Sequence, residues 1–600
     1  RRRRRRVAAI AAMATPPPHF IWIVADDLGT FDVPFTNSGS EVRTPTLSRL
    51  AANGLVLDSY YVQPLCTPSR AAFMTGRHPV SLGLQHGVIL DAVPDAVPIN
   101  ETLLPQLLRA AGYKSYFFGK WHLGFHQPRF TPERRGFDAA LGYYTGNAEY
   151  WNHTSPCWSC GNFTAVDLHY SNASHFIGLL GASDYYSTEL FAAAAVATIH
   201  RHAASSSPLF LYIAFEAVHG ASSCYVAGKP PDCNKPDDDE LQVPIKYEQQ
   251  QSHIVHKPRR QYAGMVGALD EAVANVTSAL EATKLMSNSL LLFTTDNGAP
   301  FKHLGGAAMS NFPLRGGKAE LWEGGVKGAC FLHGGALPSA ATGQRSDTLI
   351  HASDWLPTFL HLAGVTVPSA IAAKLYGVDM SRVLQSPHAV GRYELRNELL
   401  LNSDPRTHRA ALRSGDLKLL RDEPPSAWGP DPRGEPNAKN LVAEGPASEF
   451  SSWQVRPGST VKHRYMLFDV VADPREVNDL SAHPRHAADL ARLIARLEET
   501  EQRLSVALRG LQPDPHARPM PIPGHTVCTP SPIGPILCDA PIGLWQPWHA
   551  DGVDGAINGF YDLQPGVTTG SICLLIACAI YLVTKWRRRN GLSAAAELTS

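Results

Sequence analysis

Phe20-Ile21-Trp22-Ile23-Val24, followed one residue later by Asp26-Asp27, is the stretch on which the fold turns. Five consecutive apolar residues rich in β-branched and aromatic side chains make a strand buried on both faces. Such strands belong to sheets covered by helices on either side. Three further runs have the same form: Ser115 to Phe118, Leu209 to Ala214, and Leu290 to Thr294. Each is followed within a few residues by polar groups that a plain connection does not need: Lys120 and His122, His219, and Asp296 and Asn297. Ligands of open α/β sheets bind beyond the carboxyl ends of the strands, so the pattern gathers these residues on one rim.

Working outward, helical periodicity is expected over Thr102 to Ala111, ending at Gly112, and over Arg260 to Lys284. Lys229 to Gln251 and Pro424 to Ser452 read as long surface loops. Leu412 to Arg421 and Arg464 to Val471 read as short strands, and Pro484 to Leu508 as a charged amphipathic helix, which together suggest a smaller α+β unit. The expected organisation is a basic tail or signal-peptide remnant over 1–18, a catalytic domain over 19–400, the smaller α+β domain over 401–510, and a Pro-rich stalk over 511–565. A membrane helix over 566–584 and a cytoplasmic tail over 585–600 complete it.

The span rests on the uncharged run Val567 to Val583, which meets Lys585, Trp586, Arg587, Arg588 and Arg589. The basic cluster would stay cytoplasmic and place the rest in the lumen or outside. The expectation is therefore a single-pass protein of the secretory pathway, at the cell surface or in a lysosome-like compartment. Close cysteine pairs agree with that compartment: Cys157 with Cys160, Cys224 with Cys233, and Cys528 with Cys538 suggest three small disulfides, and with Cys573 and Cys578 inside the apolar span, Cys66 and Cys330 are left unpaired. Sequons at Asn100, Asn152, Asn162, Asn172 and Asn275 point the same way. Lys+Arg and Asp+Glu balance at 54 each in 600 residues, so no global field draws the chain to nucleic acid.

Asp26, Asp27, Asp296 and Asn297 offer only oxygen donors, which suits a hard cation such as Ca²⁺ or Mg²⁺ better than zinc. Either pair alone reads as a turn or helix cap; on strands sharing a rim, they read as ligands. Cys66-Thr67-Pro68-Ser69-Arg70, with Phe73-Met74-Thr75-Gly76-Arg77, resembles the first signature of the sulfatase family, and Gly112-Tyr113 with Gly119-Lys120-Trp121-His122 resembles the second. The resemblance covers roughly Phe20 to Thr500.

That resemblance implies an alkaline-phosphatase-like sulfatase fold: a large mixed, mostly parallel sheet flanked by helices, plus the smaller C-terminal α+β domain. It implies conversion of Cys66 to Cα-formylglycine (3-oxoalanine) by a formylglycine-generating enzyme, and one Ca²⁺ held by Asp26, Asp27, Asp296, Asn297 and residue 66. One hydroxyl of the hydrated aldehyde attacks sulfur, and loss of the proton from the other expels sulfate. Matching positions assign Arg70, Lys120, His219 and Lys318 to the sulfate and nucleophile, with His219 and Lys318 as the proton-donating pair and His122 serving the diol. His78 and His303 are read as specificity or structural residues. Arg134-Arg135-Gly136-Phe137-Asp138 and His351-Ala352-Ser353-Asp354-Trp355 look most like the arylsulfatase B branch, the N-acetylgalactosamine-4-sulfatases.

The expected substrate is a sulfated glycan or aryl sulfate. A phosphonate or phosphate monoester hydrolase on the same fold is one alternative, because tetrahedral oxyanions of similar size use similar donors. An inactive, membrane-tethered glycan-binding homologue is the other.

Overall fold

The computed structural model describes residues 16–156, 164–174, 176–180, 185–221, 241–300, 308–428 and 463–504, with the backbone of 520–529, 537–544 and 560–562. The apolar runs form β1 (His19–Ala25), β2 (Leu55–Leu57), β3 (Lys114–Lys120), β4 (Ala139–Tyr143), β5 (His169–Asn172), β6 (Phe176–Leu180), β7 (Leu209–Ala214), β8 (Ser289–Thr295), β9 (Cys330–His333) and β10 (Gln344–Ser346). Strands β11 (Glu398–Ser403), β12 (Ala410–Ser414), β13 (Leu417–Arg421) and β14 (Tyr465–Asp469) make a separate antiparallel sheet. A short β15 (Phe560–Asp562) pairs in parallel with β6.

The main sheet has eleven strands in the order β10-β2-β9-β8-β1-β7-β3-β4-β5-β6-β15. Its centre, from β8 through β1, β7 and β3 to β4, is parallel, with antiparallel pairs toward the flanks. The four runs singled out in the sequence are therefore neighbours and point the same way. Register matters most between β1 and β8, where Ala25 lies opposite Thr295, so Asp26 and Asp296 leave the sheet side by side.

Burial on both faces explains the unbroken apolar runs. Ile21 and Ile23 pack into the core on one side of β1, while Phe20, Trp22 and Val24 pack into that on the other. Each fully buried side chain of this size contributes roughly 1.5–3 kcal/mol.

The first face is covered by α1 (Pro45–Ala52), α3 (Ser187–His202) and α4 (Lys257–Ala282), the second by α2 (Cys66–Thr75) and α5 (Trp355–Leu362). Asp270 of α4 accepts the backbone N–H groups of Thr46 and Leu47 at 3.0 and 2.7 Å, closing the start of α1. Helix α6 (Ala487–Leu504) packs Leu493 and Leu497 against the second sheet.

Leu412 to Arg421 is not one strand but the hairpin β12–β13, because Gly415 at φ 60° makes the tight turn between Ser414 and Leu417. The helix expected over Thr102 to Ala111 is shorter, running from Leu104 to Leu108 with a 3₁₀ turn to Ala111, since Pro105 can occupy only its first turn.

The single-pass expectation is corrected here. Among the described residues no helix is long and apolar enough to cross a membrane, and α6, the long helix nearest the C-terminus, is amphipathic and charged. The run 566–584 itself lies outside the described residues, as do Cys157, Cys160, Cys224, Cys233 and the side chains of Cys528 and Cys538. Cys66 and Cys330 are free and buried.

Candidate active site

Cys66 is the first residue of α2, and the loop before it is folded back by Ser69, whose hydroxyl accepts the Gln63 N–H at 2.9 Å. Gly76, at φ 64°, ends the helix in the left-handed conformation. Every residue of α2 is buried, so the helix is held rigidly against the strand tips. One turn along, Arg70 reaches across to β8: its Nε and Nη2 donate to Asp296 Oδ2 at 3.0 and 2.8 Å, and Nη1 donates to the Lys120 carbonyl at 2.9 Å. Arg70 thus ties together the tips of β8 and β3.

The carboxylates converge where the strand register puts them. Asp26 Oδ2 accepts from Lys120 Nζ and lies 3.5 Å from Arg70 Nη2, while its Oδ1 accepts from Cys66 Sγ at 3.6 Å. Asp27, in the left-handed region at φ 60°, turns the other way. Its Oδ1 accepts from Asn297 Nδ2 at 2.6 Å and its Oδ2 from Lys318 Nζ at 2.7 Å. One oxygen from each of Asp26, Asp27 and Asp296 and the Cys66 sulfur lie within 4.8 Å of one another, all buried. The five metal-ligand candidates and Arg70, Lys120 and Lys318 are therefore one assembly.

Ionisation follows from this crowding. Burial pushes Asp26 up, but Lys120 and Arg70 outweigh it and hold the carboxyl well below its ordinary range. Asp296 goes the opposite way, to about 7, through burial and then repulsion from Asp26. Burial pushes the Cys66 thiol up to about 12, with Lys120 and Lys318 offsetting only part of that rise. Lys318 also loses by burial, yet Asp27 raises it overall and keeps it charged.

The two histidines differ in what their free nitrogens offer. A carbonyl can only accept, so the contact of His122 Nε2 with Ile89 O at 3.1 Å places the proton on Nε2. His122 Nδ1 then carries a lone pair, is buried and has no hydrogen-bond partner among the described residues. Burial, then Lys120 and Arg70, hold this imidazole well below its usual range, so the ring is neutral. By the same reasoning His219 Nδ1 donates to Gly220 O at 2.7 Å, and its Nε2 faces Asp27 Oδ2 at 3.5 Å. Burial and Lys318 bring His219 down to about 4.

The donor set fits a hard divalent cation. Asn297 Oδ1 is buried and lacks a partner among the described residues, although its Nδ2 is fully used by Asp27 and Gly298 O. An orphaned amide oxygen beside three buried carboxylates is the arrangement that a cation resolves.

His78 is buried elsewhere, with Nε2 donating to Leu400 O at 2.9 Å, which makes it structural; His303 lies outside the described residues. Glu216 and Tyr150, which support His219, were missed. The available signal was a lone carboxyl inside the apolar run Ala214-Phe215-Glu216-Ala217-Val218.

With this geometry in hand, comparison with known proteins is specific. The profile of the family described as Sulfatase matches residues 18–365. Arylsulfatase J of Mus musculus is 33% identical over 563 residues, covering 90% of this chain and 81% of that protein. N-acetylgalactosamine-6-sulfatase of Sus scrofa is 30% identical over 378 residues, covering 61% of this chain and 66% of its own length. The solved structure of Ps i-CgsB in complex with k-i-k-neocarrahexaose superposes with a TM-score of 0.63 at 25% identity, over 83% of this chain and 95% of that one. These relatives do not single out the 4-sulfatase branch.

Proposed function

The chain belongs to the sulfatase family and is a sulfuric ester hydrolase with an alkaline-phosphatase-like fold, and from that premise we propose that it desulfates glycans through a formylglycine hydrate formed at Cys66. The observation that carries this reading is the buried meeting of Cys66 with Asp26, Asp27 and Asp296 beside the unpartnered Asn297 oxygen. A glycan substrate is supported by the carrageenan oligosaccharide and the amino-sugar sulfate in the names of the relatives.

Asp26, Asp27, Asp296, Asn297 and residue 66 would hold one Ca²⁺. The ion supplies electrostatic stabilisation to the nucleophilic oxygen and to the sulfate oxygens. Without it the three carboxylates are offset by Arg70, Lys120 and Lys318. With it the pocket gains net positive charge and favours an anionic ester.

The chain's own groups then divide the work. Arg70 fixes Asp296 and the tip of β3, and Lys120 and Lys318 face the sulfate oxygens. One hydroxyl of the hydrated aldehyde gives up its proton to the adjoining Asp26–Asp296 carboxylate pair as its oxygen bonds to sulfur and the ester S–O bond breaks, and the departing alkoxide takes a proton from His219 assisted by Lys318. His122 Nδ1 accepts the proton of the remaining hydroxyl, the aldehyde reforms, and the C–O bond to sulfate breaks.

The test is relative turnover of matched aryl sulfate and aryl phosphonate esters by protein matured in a secretory pathway. We expect the sulfate to be preferred; a large preference for the phosphonate contradicts the reading.

A further inference from the structure

The turn after β7 presents His219, yet it is held in place by a side chain that takes no part in the chemistry above. Glu216 is 1% exposed; its Oε1 accepts the Ala148 N–H at 3.0 Å and its Oε2 accepts the Ser187 hydroxyl at 2.8 Å. The backbone carbonyl of the same residue accepts the His219 N–H at 2.9 Å. Carboxyl and imidazole therefore stand at the two ends of one hydrogen-bonded turn. Its far end is pinned by Tyr150, whose hydroxyl donates to the His219 carbonyl at 2.8 Å.

The residues that grip the turn form one unit. The Ser187 N–H donates to the Tyr150 carbonyl at 2.8 Å, and the rings of Tyr150 and Tyr186 stack with centroids 5.1 Å apart. The turn also touches the carboxylate cluster through its backbone: Asp26 N–H donates to Ala217 O at 3.0 Å, and Val218 N–H donates to Asp26 O at 2.7 Å. Because His219 Nδ1 is spent on Gly220 O, the direction of Nε2 is set by the backbone of 219–220 and not by the side chain alone.

We infer that Glu216 is a positioning residue for the proton donor: its two side-chain hydrogen bonds aim His219 Nε2 at the leaving-group oxygen. This rests on the proton-donating role given to His219 above. Truncating the carboxyl would leave the Ala148 N–H and the Ser187 hydroxyl buried without partners, and the turn would shift to satisfy them. A displacement of about 1 Å at the reacting centre is enough for a 10²-fold loss. A glutamine at 216 keeps both contacts, its amide oxygen accepting from Ala148 and its NH₂ donating to Ser187.

The experiment follows turnover of a series of substituted phenyl sulfates whose phenols differ in acidity. Misaimed proton donation penalises poor leaving groups most, a pattern that general loss of structure does not produce. In Glu216→Ala we expect kcat to fall about 10²-fold on unsubstituted phenyl sulfate and only several-fold on 4-nitrophenyl sulfate, with KM within about twofold. Glu216→Gln should stay within about threefold of wild type throughout. If Glu216→Ala does not fold, Ser187→Ala removes one of the two contacts and should show the same tilt at about tenfold. Equal losses across the series, or a Glu216→Gln loss as deep as that of alanine, overturn the inference while leaving the sulfatase reading intact. A wild-type protein inactive on every phenyl sulfate overturns that reading instead.

Discussion

At the tips of β1 and β8 three carboxylates face Arg70, Lys120 and Lys318; where Glu323 meets the second sheet, two more carboxylates face Lys418 beside Arg413 and Tyr61. Both clusters are buried, and in both one carboxyl is held low and another pushed up. Burial raises Glu323, but Lys418 and Lys327 outweigh it and bring it to about 2, while burial takes Glu476 to about 7, as it does Asp296. Perturbed ionisation therefore does not tell the two apart.

Pairing does. In the second cluster three of the four carboxylate oxygens accept a hydrogen bond, Glu323 Oε1 from Lys418 at 2.9 Å, Glu323 Oε2 from Tyr61 at 2.6 Å and Glu476 Oε2 from the Glu323 N–H at 2.7 Å; the fourth, Glu476 Oε1, accepts none among the described residues but is held by the Lys418 ammonium 2.8 Å away. In the first cluster Asn297 Oδ1 and His122 Nδ1 have no partner among the described residues. A closed network fastens two parts of the molecule together; one with orphaned acceptors is waiting for something to bind. The two should separate cleanly when each is damaged.

The largest effect is expected in the closed cluster. Lys418→Met strands two buried carboxylates and should lower stability by about 3–5 kcal/mol, read from denaturant unfolding, while kcat per folded molecule stays within about threefold. Loss of turnover at unchanged stability would erase the distinction between the clusters. Asp296→Asn should do the reverse. Its carboxyl is already pushed to about 7, and the amide oxygen can still accept from Arg70, so stability should change by less than about 2 kcal/mol while kcat falls roughly 10²–10³-fold.

A smaller effect sharpens the role of His219. This imidazole is held at about 4 and faces Asp27, Lys318, Asp26 and Lys120, so it is mostly neutral at pH 7. A proton donor works only in its protonated fraction, which grows as pH falls. kcat/KM should therefore rise about tenfold for each unit by which pH is lowered between 8 and 5, and His219→Ala should flatten that limb. A rise that persists in the variant would move the proton to another group.

Most of this site was legible because its residues sit just past apolar strands that a simple pattern identifies. Phe20 to Val24 and Leu290 to Thr294 read as buried strands, and parallel pairing then carries Asp26 and Asp296 to one edge. What the pattern could not supply was the support behind them. Glu216 lies in an apolar run where a carboxyl reads as an interruption, and its partners Ala148 and Ser187 come from distant parts of the chain. Gly415 was likewise overlooked as a turn within Leu412 to Arg421, although Ser414-Gly415-Asp416 is a polar turn signal between two segments of alternating apolar residues. The expected membrane helix rested on composition alone, and among the described residues nothing stands in its place.

The most direct test of the central claim is the mass of the peptide containing Cys66, taken from protein expressed in a secretory pathway. The account predicts that residue 66 has lost its sulfur and two hydrogens and gained one oxygen, and that the product reacts with a carbonyl reagent. An unmodified thiol at residue 66 in protein that still hydrolyses sulfate esters would contradict it.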